Sequence, residues 1–147
     1  MALGVSHERL TSSSHLLVVP AQAGIQFLVS RLAANMDLKH VADLFPKDPM
    51  LAIWLHIAER RAGSDSQLAA KQLASKIANF NMTRWPAPVV RLFIGEGTLP
   101  LQLSAKELAS GLQCEADFYS AEYMLWQGRK AEAVRMYKTA QQSCVRI

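Results

Sequence analysis

The chain has 147 residues, half of them hydrophobic, with 19% charged, 7% aromatic and a formal net charge of +4. That length suits one domain with a continuous core, and no apolar run approaches the roughly 18 to 20 residues that cross a bilayer, so no membrane span is expected. The basic residues are scattered, with Arg60-Arg61, Arg84, Arg91, Arg129-Lys130, Arg135 and Lys138 among them; a solvated helix surface accounts for this pattern, and no nucleic-acid partner is expected.

Residues 1–20 are rich in Ser and His without a stable period, which predicts a disordered or loosely attached segment. Residues 21–147 read as one helical domain. Ile25, Leu28, Val29 and Leu32 keep a three-four spacing that predicts a helix to about Asn35. Asp37 is placed to cap a second helix with Leu38, Val41, Leu44 and Phe45 inward, stopped by Pro46 and Pro49. A helix from Met50 to Ala62 follows, then a Gly63-Ser64-Asp65 turn. Asp65 or Ser66 is expected to cap a helix from Gln67 to about Asn79. Pro86 suits a first helical turn, and Val89, Val90, Leu92 and Phe93 form an apolar helix ending at Gly95, with a flexible connection through Gly97. Ser104 and Glu107 form a capping box, in which each satisfies the other's free backbone N–H. That box opens a short helix through Leu108 to Leu112.

From Cys114 to Ala140, small and apolar residues recur at helical spacing on either side of Gly128: Phe118, Ala121, Met124 and Leu125, then Ala133, Tyr137 and Ala140. Ala121, and Ala133 with Tyr137 four residues on, fall on the small-residue and A-x3-F positions of a tetratricopeptide repeat. Trp54, Ile57 and Ala58 fall on its W-x2-L-G positions, with Ala70 as the small residue of a degenerate second helix. The expected fold is therefore all-α: a short tetratricopeptide-like solenoid of antiparallel helix pairs, three after residue 50 and a partial one before.

Leu103 to Leu108, preceded by Trp85 and Leu92 to Gly95 and followed by Phe118-Tyr119 and Gly128, resemble the C-terminal half of NlpI-type bacterial lipoproteins across roughly residues 50 to 144. That resemblance implies a periplasmic tetratricopeptide adaptor that brings cell-wall hydrolases and a processing protease together. No export signal and no lipid-attachment cysteine are recognisable near the N-terminus, so a cytoplasmic location stands as the alternative. Val19 to Gln26 resemble the translation of a palindromic DNA repeat found between bacterial genes. This motivates a rival reading, a truncated or vestigial repeat protein with no dedicated partner.

No chemical motif competes with the scaffold reading. His7, His15, His40 and His56 are isolated, and helix-surface histidines are expected, with no metal site. Glu115 and Glu122 lie about two turns apart on one helix, where a solvated face explains them better than an acid-base pair. Neither a catalytic set nor a cofactor site is expected, and the chain reads as a non-enzyme.

In the last repeat, Glu115, Phe118, Glu122, Leu125 and Trp126 fall on the face that lines a groove, which makes them the candidate protein-binding residues. Trp54 is expected in the core, whereas Trp126 is expected either on the groove or in end-packing. A protein or peptide partner is expected, together with a homodimer to which Trp126 contributes. In an antiparallel pair turning at Gly128, Cys114 lies opposite residue 143 or 144. Cys114 and Cys144 therefore read as either a disulfide or two small buried thiols.

Overall fold

Among residues 34–144, which the computed structural model describes, every regular element is a helix. The chain is helical in α1 (34–44), and continues through α2 (Pro49–Arg61), α3 (Ser66–Ala74), a 3-10 turn (Ile77–Asn79), α4 (Ala87–Phe93), α5 (Ala105–Ala109), α6 (Gln113–Trp126) and α7 (Lys130–Cys144). The expectations for residues 1–20 and for the helix over Ile25 to Leu32 lie outside the described residues.

Local chemistry sets most of these boundaries. Asp48 caps α2 by accepting from the Met50 N–H at 2.8 Å, and Pro49 occupies the first helical position, where its missing N–H leaves no bond unmade. Asp65 caps α3 by accepting from the Leu68 N–H at 2.9 Å. The capping box before α5 is formed in both directions, at 3.2 Å from the Glu107 N–H to Ser104 Oγ and 2.7 Å from the Ser104 N–H to Glu107 Oε2. Gly128 turns the chain between α6 and α7 at φ 76°, a conformation that an L side chain would strain.

Three local expectations are corrected. Asp37 lies inside α1 instead of capping it, and Val41, Leu44 and Phe45 are exposed while Ala42 is buried. The helix predicted from Gln67 to Asn79 stops at Ala74 and resumes as a 3-10 turn, because Ser75 bends its hydroxyl back to the Gln72 carbonyl at 2.8 Å. The Gly95–Gly97 connection is tightly held. The N–H groups of Glu96 and Gly97 both donate to the Arg91 carbonyl, and a Cβ on Gly97 would stand 2.7 Å from the Leu92 nitrogen.

Two helix pairs are clear, α2 with α3 and α6 with α7, the latter the most extensive contact among the described helices. The expected third pair is not built as a pair: α4 packs instead against α2, α3 and α6, and α5 forms no extended contact with it. This follows from length. At seven and five residues, α4 and α5 are too short to offer each other a continuous stripe. α4 is instead the wedge that fills the space between the two pairs, with Val89, Val90 and Leu92 fully buried among Ile53, Ile57, Leu73, Phe80 and Tyr119. Each such side chain contributes about 1.5 to 3 kcal/mol by leaving water.

Candidate functional site

Beside this wedge, α2, α6 and α7 leave an open groove of about 520 Å³. Met50 and Trp54 line one wall from α2; Glu115, Phe118 and Tyr119 come from α6, and Tyr137, Ala140 and Gln141 from α7. Helical spacing puts them there: Met50 and Trp54 are one turn apart, as are Glu115 with Phe118 and Tyr137 with Gln141. The groove lies in the size range of ligand sites and is lined mainly by apolar and aromatic groups.

A covalent bond belongs to its lining. Cys114 and Cys144 are joined by a disulfide with their Cα atoms 5.1 Å apart, so the first turn of α6 is tied to the last turn of α7. Both cysteines line the groove.

The rings lean on one another at angles. Trp54 and Phe118 have centroids 5.8 Å apart, Phe118 and Tyr119 5.4 Å, and Phe118 and Tyr137 6.0 Å. These inclined contacts suit the negative faces and positive edges of aromatic rings. Glu115 is exposed and accepts from the Trp85 indole N–H at 3.2 Å. Burial, and secondarily the Glu115 charge, push the Tyr119 hydroxyl up to about 12.

Trp54 departs from its expected place in the core: it is 42% exposed, at the groove. α2 carries two apolar stripes: Ile53 and Ile57 face the wedge, whereas Met50 and Trp54 face α6 and α7. The four-residue spacing of Met50 and Trp54 was the available signal, hidden by the match of Trp54 to a repeat position.

The five expected groove residues separate into four surroundings. Glu115 and Phe118 line the groove. Glu122 is fully buried behind it, not solvated: Arg61 Nε donates to Glu122 Oε2 at 3.2 Å, a second Arg61 nitrogen pairs with Oε1, and the Tyr137 hydroxyl donates to Oε1 at 2.7 Å. Partial burial, then the bond to Glu122, raises Tyr137 to about 12, and the Glu122 hydrogen bond raises Arg61. Leu125 is exposed away from the groove lining. Trp126 turns toward the wedge, 4.8 Å from the Phe93 ring and 5.2 Å from His56, with the Arg60 guanidinium 5.5 Å over its face.

His56 is likewise corrected. Expected on a helix surface, it is 3% exposed and stacked on Phe93 at 5.3 Å. Burial lowers it from 6.5 to about 4, with a smaller contribution from Arg60, against a hydrogen bond with the Ala69 backbone. Its Nδ1 has no partner, nor has the Trp126 indole N–H. Among the described residues no group of three or more His, Cys, Asp or Glu side chains is placed to hold a metal, and no helix is long and apolar enough to cross a membrane.

No family model matches the chain, and neither a curated protein nor a solved structure matches it.

Proposed function

We propose that the chain is a non-catalytic adaptor of tetratricopeptide type that holds a peptide or protein partner in the groove between α2, α6 and α7. The observation that carries this reading is Trp54, a large aromatic left 42% exposed on the wall of an apolar groove of about 520 Å³. Aromatic anchors in such places dominate binding energy. The Cys114–Cys144 bond supports an oxidising compartment, since cytosolic thiols are kept reduced. Together with the resemblance to NlpI-type lipoproteins, it favours the periplasm of a bacterial cell envelope.

A photo-reactive amino acid placed at Gln141, inside the groove, tests the assignment against one at Thr139 on the exposed side of α7. A partner cross-linked from position 141 but not from 139, and lost in Trp54→Ser, is the expected result. A well-packed anchor of this kind contributes at least about 2 kcal/mol, so Trp54→Ser should weaken binding by about thirtyfold while helix content is unchanged. Equal cross-linking from both positions, or none from 141, rejects the groove as the docking site.

A further inference from the structure

We infer that the groove selects a cationic group carried on an apolar stem, such as the ammonium or guanidinium side chain of a partner segment, with Glu115 as its counter-charge. This rests on the groove being the binding site. Three features of its lining point the same way.

First, among the described residues that line the groove Glu115 is the one carrying a full charge; the remaining polar groups are the Gln141 amide and the tyrosine hydroxyls. Among the described residues no lysine or arginine lines it, so an anionic occupant would meet the Glu115 carboxylate with no described cation beside it. Second, the carboxylate is held in place. One oxygen accepts from the Trp85 indole N–H at 3.2 Å. Its charge also acts on Tyr119 of the groove wall, whose hydroxyl is raised by burial first and by Glu115 second.

Third, the walls are aromatic. Trp54, Phe118, Tyr119 and Tyr137 stand within 5.4 to 6.2 Å of one another in the contacts Trp54 to Phe118, Trp54 to Tyr119, Phe118 to Tyr119 and Phe118 to Tyr137. Ring faces attract cations electrostatically, by about 0.5 to 2 kcal/mol depending on exposure. A neutral apolar occupant would fill the same space but strip water from Glu115 without replacing it. An alkyl stem ending in a cation satisfies both demands: the stem covers the rings and the head meets the carboxylate.

The test uses three probes of similar size: 2-phenylethylammonium, 2-phenylethanol and phenylacetate. Each is titrated into the full chain and followed by Trp fluorescence and by shifts of the amide resonances of α6 and α7. The ammonium should bind about tenfold more tightly than the alcohol, and phenylacetate most weakly. Added salt should narrow the gap. Glu115→Gln, which can still accept from Trp85, should make ammonium and alcohol bind alike. If the alcohol binds the wild-type chain as tightly as the ammonium, the charge selection is wrong and the apolar groove stands. If none of the three perturbs groove residues, both the selection and the docking site fall. The wild-type comparison decides between these outcomes even if Glu115→Gln fails to fold.

Discussion

α7 buries only Ala133 and Ala140, and α6 meets it through Cys114, Phe118 and Glu122. The two alanines leave α7 a small-residue face on which α6 packs closely, and a disulfide ties the first turn of α6 to the last turn of α7. In the other region α2, α3 and α4 are joined by bulk: Ile53, Ile57, Leu73, Val89, Val90, Leu92 and Phe93 fill one cluster. Short helices cannot hold themselves together by local bonds, so this half depends on side chains that reach across from distant parts of the chain. The first region is a local device and the second a cooperative one. The groove forms where they meet, with α2 supplying one wall and the hairpin the other two.

The sharpest way to break the contrast is Arg61→Met. Arg61, at the end of α2, reaches across to Glu122 on α6, which Tyr137 of α7 also contacts. Its loss leaves a buried carboxylate without its cation, an error that destabilises by about 4 kcal/mol. Glu122→Gln, which keeps an acceptor for Tyr137, should cost clearly less. Urea unfolding of both variants measures this; a loss for Arg61→Met below about 1 kcal/mol would show that the two regions do not depend on this bridge.

Opening the disulfide comes next. The bond closes a loop with a sequence separation of 30, which corresponds to about 3.5 kcal/mol of chain entropy. Cys114→Ser with Cys144→Ser should raise hydrogen exchange first at the end of α7 and leave the α4 amides protected. Equal loss of protection throughout would mean that the local device and the cooperative one are a single unit.

The smallest of the three effects acts on the cooperative region through His56. Because its folded pKa is lowered from 6.5 to about 4, the associated stability is fully present above pH 6.5 and is lost as pH falls toward 4. The loss is about 3 kcal/mol. Phenylalanine fits a site already stacked on Phe93, so His56→Phe should flatten the acid side of the stability curve. An unchanged slope between pH 6.5 and 4 would assign the acid sensitivity to other groups.

The same contrast explains what could be read in advance. The Ser104–Glu107 box, the Gly128 turn and the facing of Cys114 and Cys144 are announced by local pattern, whereas the break of α3 at Ser75 is not. Burial in α2 is set by three distant elements at once. Periodicity finds its stripes but not which one meets solvent, and this is why Trp54 and His56 exchanged their expected places. Val41, Leu44 and Phe45 at the end of α1 share this ambiguity: their spacing fits an inward stripe, and all three are exposed.

The disulfide also changes what a cut in the chain can do. The tip between α6 and α7 presents Gly128, Arg129 and Lys130 at the surface, a natural target for a trypsin-like protease. A nick there severs the backbone but releases nothing, because the two helices stay joined at their far ends through Cys114 and Cys144. The groove, built at the joined end, keeps its walls in a clipped molecule.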